Sequence, residues 1–358
     1  MPISSVPFFS AQLMQWHDTE NKRTMPWKGE RDPYKIWLSE IILQQTRVQQ
    51  GLAYFQKFVT AYPTIKALAA AADEEVYKMW EGLGYYSRCK NLLHSAREVA
   101  KLGQFPNTYE SIMKLKGVGP YTASAIASFA YGLPYAVVDG NVFRVLSRFF
   151  GESLPIDSTK GKNFFNKLAA KLLYQPDPAA YNQAIMDLGA TICTPQVPNC
   201  TECPLQKRCL AYSRGLISLL PVKEKQLVKT TRWFTYFIFV YKGAVLIKQR
   251  KEKGIWQNLH EFYLVESPKA ETWNSKSVRT FVKAAFGEKN PTLHNISETY
   301  KQVLTHQVLF GQFILVEIHT FEEIPNYTLA SLQDLSKLAF PKMIAKYLKE
   351  LHYAGLIL

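Results

Sequence analysis

Cys193, Cys200, Cys203 and Cys209 stand at the spacing C-x6-C-x2-C-x5-C and account for four of the five cysteines in the chain. Four thiolates need a common centre, and a tight loop containing Pro195, Pro198 and Pro204 can wrap them around one 4Fe-4S cluster. A tetrahedral zinc ion is the rival, although structural zinc usually takes paired cysteine knuckles on two separate turns. Free or disulfide-linked cysteines suit a secreted chain, and the opening residues MPISSVPFFS carry neither a charged segment nor a long apolar core. A second cluster of chemistry lies upstream, at Val137-Val138-Asp139-Gly140-Asn141. Asp139 falls between an apolar run and a predicted helix over 142–150, where a carboxylate ordinarily caps the helix. A carboxylate at a helix start also stays ionised, as a group must if it faces positive charge developing on a sugar.

These groups need elements to hold them. Leu115 to Ala130, LKGVGPYTASAIASFA, has the form of a helix-hairpin-helix, which we place at about 109–130. Gly117 and Gly119 permit the tight hairpin, and the following helix starts with unpaired amides and its positive dipole end outward. Such an end binds a nucleic-acid phosphate without reading sequence, though an ordinary connector has the same composition. Charge points the same way: 43 Lys and Arg against 29 Asp and Glu give +14, spread along the chain. No stretch reaches membrane-spanning length, so the expectation is a soluble, cytoplasmic, monomeric protein.

Near residue 220 the apolar period changes from helical to alternating. Trp233 to Val240 and Ala244 to Lys248, about a Tyr241-Lys242-Gly243 turn, read as a hairpin of strands. We therefore expect an all-α domain over 1–220 with the cysteine loop at 193–209, a linker over 221–232, and an α+β domain over 233–358.

The order of hairpin, VDGN and cysteine loop resembles the endonuclease III superfamily of DNA glycosylases over nearly the whole chain. Pro26-Trp27, Trp37-Leu38-Ser39-Glu40 with Gln44-Gln45-Thr46, and Gly82-Leu83-Gly84-Tyr85-Tyr86 resemble its adenine-specific members. The resemblance implies a base-excision repair enzyme acting on double-stranded DNA that contains adenine mispaired with 8-oxoguanine or guanine. In the lyase branch a lysine stands at the second position after the Gly-Val-Gly hairpin. Here it is Tyr121, which cannot form a Schiff base, so base removal without coupled strand cleavage is expected. Adenine leaves poorly unless protonated. Glu40, among Trp37, Leu38, Ile41 and Ile42, is expected to have its pKa raised by burial and to supply that proton.

The implied chemistry is a two-carboxylate glycoside cleavage moved to an N-glycosidic bond, with Asp139 stabilising the sugar cation or bonding to it transiently. By the same resemblance, Tyr121 and Asn141 orient Asp139 and the sugar, and Arg23, Trp27 and Gln183 line the adenine pocket. Gln45, Tyr85 and Leu83 occupy positions where family members place side chains in the gap left by a flipped base. The C-terminal part resembles the Nudix-like module that reads 8-oxoguanine, marked by Gly254-Ile255-Trp256, Glu261-Phe262 and Leu304-Thr305-His306. Phe-Ser-His is the usual form of the last stretch, so Thr305 keeps a hydroxyl where serine is common, and His306 is retained. No run of acidic residues stands ready to hold catalytic magnesium, which argues against nucleotide hydrolysis. The remaining basic candidates for phosphate contact are Lys207, Arg208 and the stretch KQRKEK at 248–253. Cys89 reads as a free, unreactive thiol.

Overall fold

The computed structural model describes residues 5–224 and 228–353. The chain divides into two compact units, Met1–Ala70 with Asn91–Gln226 and Ala71–Lys90 with Leu227–Leu358. Residues 71–90, inside the expected first domain, thus group with the sheet. The centre of the expected linker, 225–227, lies outside the described residues.

The helices run α1 (Ser5–Thr19), α2 (Pro33–Leu43), α3 (Val48–Ala61), α4 (Ile65–Ala70), α5 (Asp73–Trp80), α6 (Ser87–Leu102), α7 (Tyr109–Ile112), α8 (Pro120–Tyr131), α9 (Gly140–Phe150), α10 (Thr159–Leu172), α11 (Pro178–Thr191) and α12 (Leu210–Ser213). Local chemistry fixes their ends. Asp32 caps α2 by accepting from the Tyr34 amide, with Pro33 at the first position. Pro120 likewise starts α8, which stops at Gly132 in the left-handed conformation. Asp139 caps α9, and Gly151 closes it the same way. A core of Phe9, Leu13, Trp16, Val145, Phe149, Phe165, Leu172 and Leu188 joins α1, α9, α10 and α11. Full burial of each such large side chain contributes about 1.5–3 kcal/mol. α2 packs on α8, whose buried residues include Ala123, Ala125, Ala127 and Ser128. Small side chains there let the two helix axes approach, bringing the residues at their ends together.

Between α7 and α8, the hairpin needs Gly117. Its φ is +80°, and an added Cβ would lie 2.8 Å from Asn91 Cβ. Gly119 is different, with extended backbone (φ −104°, ψ 179°) and open space around its α-carbon.

In the second unit, β1 (Thr230–Tyr241) and β2 (Ala244–Gln249) form the expected hairpin about Lys242-Gly243. β3 (His260–Glu261) pairs with β2, β4 (Tyr263–Ser267) with β1, and β5 (Thr292–Ile296) and β6 (Tyr300–Val303) both with β7 (Gln307–Glu317). β8 (Thr328–Ser331) covers the far side of β2, and β1 runs parallel to β7 at the centre. The unbroken buried run from Phe234 to Phe239 shows that β1 is covered on both faces. One face meets α13 (Ser275–Phe286) through Phe237, Phe239, Val278 and Val282. After the short α14 (Leu332–Leu335), α15 (Lys342–Tyr353) lies on the other, where Phe313 stacks on Tyr347 at 4.2 Å.

Candidate active site

A cavity of about 390 Å³ in the helical unit collects much of the sequence-predicted chemistry. Glu40, Tyr121, Asp139, Asn141, Arg23, Trp27 and Gln183 all line it, with His17 and Lys28 added by the fold.

Glu40 sits in the last turn of α2 and is only 7% exposed. Burial, with a smaller contribution from the neighbouring Asp139 charge, raises its pKa to about 7 against the opposing pull of a hydrogen bond from the Tyr121 phenol. Tyr121, on the first turn of α8, therefore has Glu40 as its hydrogen-bond partner. Burial beside the two carboxylates lifts its own pKa well above the ordinary value, keeping it a neutral donor. Asp139 has more support. Its Oδ1 accepts from the Val142 amide at 2.8 Å and its Oδ2 from Asn141 Nδ2 at 2.7 Å. Burial still pushes its pKa above the usual carboxylate value, while these bonds and the Arg144 charge pull it back. The helix-start expectation of a simply ionised group thus meets a desolvation cost in the opposite direction.

The sequence did not announce what holds these groups. Arg144 donates to Asn141 Oδ1 at 2.8 Å, to the Gly189 carbonyl at 2.6 Å and to the Cys193 carbonyl at 2.6 Å. Buried Asn182 accepts from the Val137 amide and donates to Ser128 Oγ and the Tyr135 carbonyl, fastening the strand-like lead-in to Asp139. Gly189 lets α11 approach: an added Cβ would lie 2.6 Å from Asn141 Cβ. Behind the lining residues Arg23, Lys28 and Gln183, buried Asp187 accepts hydrogen bonds from all three and from Asn21. Asn21 Nδ2 can only donate, so its 3.1 Å contact makes His17 Nδ1 an acceptor. Burial and the Lys28 charge lower the His17 pKa, favouring the same neutral ring. Trp27 is half-buried edge-on to Phe55 at 5.5 Å. Gln45, just past α2, is exposed with φ +56°, a conformation that costs a non-glycine residue strain.

The four loop cysteines line a single cavity with Arg148, Phe149 and Leu205. Arg148 fastens this loop through the Thr194, Pro195 and Leu220 carbonyls and approaches Cys193 Sγ at 3.5 Å. Burial raises the Cys203 pKa to about 12, so four thiolates here require a positively charged centre. Among the described residues no three Cys, His, Asp or Glu converge as ligands of a single ion do. The donor set, four cysteines around one cavity, fits a 4Fe-4S group. Nearby, the Arg208 guanidinium lies 4.4 Å from the Phe8 ring.

The sheet unit has its own pocket of about 520 Å³, lined by Gly82, Tyr85, Tyr86, Ile255, Trp256, Thr305 and His306. Tyr85 is 42% exposed with φ +49°, and its hydroxyl is hydrogen-bonded to Thr305 Oγ1. Leu83 turns inward at 5% exposure, leaving Tyr85 as the accessible side chain of its loop. The His306 carbonyl accepts from the Thr230 amide, tying the turn to β1. Lys248 and Arg250 in the basic stretch are ion-paired to buried Glu261. Burial pushes the Cys89 thiol far above its usual pKa, as expected of an inert core cysteine.

Residues 38–171 match the model of the HhH-GPD superfamily of base excision DNA repair proteins, and 235–350 match that of the NUDIX domain. A Buchnera aphidicola adenine DNA glycosylase is 32% identical over 89% of this chain and 88% of that protein. The Mus musculus adenine DNA glycosylase is 42% identical over 61% of this chain and 45% of its own length. Among solved structures, a thermostable thymine-DNA glycosylase superposes with TM-score 0.55 at 29% identity, covering 59% of this chain and 98% of its own. A non-covalent endonuclease III–DNA complex gives TM-score 0.52 at 20% identity, over 60% of this chain and 99% of its own, and shares the fold. No described helix is long and apolar enough to cross a membrane.

Proposed function

We propose a reaction for the cavity from one premise: the chain belongs to the adenine DNA glycosylase family. It hydrolyses the N-glycosidic bond of adenine mispaired with 8-oxoguanine or guanine in double-stranded DNA, without coupled strand cleavage. The observation that carries this reading is the pair of carboxylates in one cavity, held in unequal surroundings. Glu40, with a single hydrogen bond and a pKa raised by burial to about 7, can still carry a proton near neutral pH. Asp139, with an amide, an amide side chain and an arginine charge beside it, is the better held of the two.

The base must leave the stack to reach them, at a cost of a few kcal/mol that is least at a mispair. Gln45 in the helical unit and Tyr85 in the sheet unit are each exposed with left-handed backbone, and each is a candidate to fill the gap. Arg23, Trp27 and Gln183 receive the base. Glu40 protonates a ring nitrogen, Tyr121 keeps that carboxyl oriented, and the bond to the sugar breaks. Asp139, fixed by Asn141, carries the developing positive charge electrostatically or through a transient bond until water adds. Tyr121 offers no amine, so the abasic product stays uncut.

Cys193, Cys200, Cys203 and Cys209 would hold a 4Fe-4S cluster, in a loop that Arg148 fastens and that carries the exposed Lys207 for contact with phosphate. The hairpin at Gly117 and Gly119 takes the DNA backbone, and the sheet-unit pocket around Thr305 and His306 reads 8-oxoguanine. The enzyme works as a cytoplasmic, DNA-associated monomer.

Single-turnover base release from duplexes with adenine opposite 8-oxoguanine, guanine or thymine, developed with alkali, tests the reading. Strand breaks appearing only after alkali, fastest opposite 8-oxoguanine, are expected. Efficient trapping by borohydride, or no adenine release from protein with full iron content, would overturn it.

A further inference from the structure

A buried carboxylate lies behind the cavity without reaching it. Asp187 on α11 is fully buried and does not line the wall. Its Oδ1 accepts from Arg23 Nη1 at 2.8 Å and Gln183 Nε2 at 2.9 Å; its Oδ2 accepts from Asn21 Nδ2 at 2.9 Å and Lys28 Nζ at 3.3 Å. All four partners are donors, two of them cations, which matches an acceptor-only carboxylate. The consequence falls on Gln183, a primary amide with one acceptor and one donor end. Its nitrogen is committed to Asp187, and no hydrogen bond reaches its Oε1 among the described residues. Gln183 therefore turns its carbonyl oxygen to the cavity it lines.

We propose that Asp187 is a positioning residue that sets purine specificity, by fixing Gln183 as an acceptor for the exocyclic amino group of the base. Adenine carries a donor at its six-position; guanine and hypoxanthine carry an acceptor there. An acceptor built into a desolvated wall welcomes the first and leaves the others facing oxygen with oxygen. The inference rests on the reading that the cavity takes adenine, and it assigns the choice between six-amino and six-oxo purines to a residue outside contact range.

The test compares single-turnover release of adenine and hypoxanthine, each opposite 8-oxoguanine, by the full-length iron-loaded protein. Asp187→Asn supplies a donor towards Gln183, whose amide can then reverse. The adenine-to-hypoxanthine rate ratio is expected to fall at least tenfold (about 1.4 kcal/mol of discrimination). The swapped pair Asp187→Asn with Gln183→Glu conserves net charge and returns an acceptor to the wall, so it should restore most of that ratio. A merely structural role would slow both substrates alike. An unchanged ratio in Asp187→Asn, or a swapped pair no better than the single variant, overturns the proposal. If Asp187→Asn lacks a cooperative melt, the swapped pair alone decides, by keeping or losing adenine preference. Gln183→Leu, which leaves Asp187 its three other donors, must also flatten the ratio, and retained preference there is equally fatal. Failure of the parent protein to release adenine would instead defeat the assigned reaction.

Discussion

The cavity of the helical unit and the pocket of the sheet unit are comparable in volume, about 390 and 520 Å³, yet they are assembled from different materials. In the first, Glu40, Tyr121, Asp139 and Asn141 sit at helix ends, and buried partners from distant segments hold the surrounding groups in place. In the second, the polar group offered is a turn threonine hydrogen-bonded to a partly exposed tyrosine. A misplacement of about 1 Å can cost a chemical step about a hundredfold, so a cavity proposed to break a bond needs its groups held from several sides. The denser support falls on the cavity to which the chemistry is assigned.

The sharpest test of that contrast is Glu40→Gln, which should slow adenine release by about 10²–10⁴-fold while duplex binding persists. Undiminished release in a single-turnover assay would remove Glu40 from the chemistry. Next in size is Gly189→Ala, whose Cβ would lie 2.6 Å from Asn141 Cβ and 3.1 Å from its carbonyl oxygen. Displacing Asn141 should lower release about tenfold to a hundredfold with a depressed melting temperature, although residue 189 touches no substrate. A parental rate would show that the tight network around Asp139 is dispensable.

A third effect follows from Glu40 titrating near 7. Release should fall towards tenfold per pH unit above about pH 7, as the donor loses its proton. The linkage sign is that of a raised carboxyl pKa. Between about pH 4.5 and 7 the unfolded chain has released this proton and the folded one has not, so stability falls as pH rises through that window. Glu40→Gln removes the cost, and at pH 8 urea unfolding should find the variant more stable by up to about 3 kcal/mol. Equal or lower stability would show that the site is not strained by an ionised Glu40. Smallest is Thr305→Ala, expected to reduce the preference for 8-oxoguanine over guanine by less than about tenfold, the worth of one neutral hydrogen bond. Loss of all adenine release in Thr305→Ala would mean that the two regions are not functionally separable.

The sequence made some of this plain. Cysteine spacing, the VDGN turn and the apolar neighbours of Glu40 are local patterns, and they carried the gathering of four cysteines on one cavity, the capping carboxylate and the buried acid. The β1–β2 hairpin was readable from alternating apolar residues about Lys242-Gly243. What stayed hidden was long-range. Arg144 meets Cys193 across 49 positions and Arg23 meets Asp187 across 164, and no local period encodes such pairings. Asn182 and Gly189 look like ordinary helix residues until the segment facing them is known. Leu83 sits between two glycines in an exposed-looking loop, but packing turned it inward. The grouping of 71–90 with the sheet was equally unmarked, because α5 has the composition of any surface helix.

Asp139 caps α9 and is also the carboxylate assigned to the sugar in the proposed reaction. Asparagine caps a helix about as well as aspartate, so Asp139→Asn would keep the acceptor for the Val142 amide and most of the fold, losing the bond from Asn141 Nδ2, while ending the proposed reaction. A cell carrying it would keep normal amounts of a protein that proteolytic surveillance cannot recognise as damaged. That protein would sit on the mispairs it cannot process and shield them from any working copy.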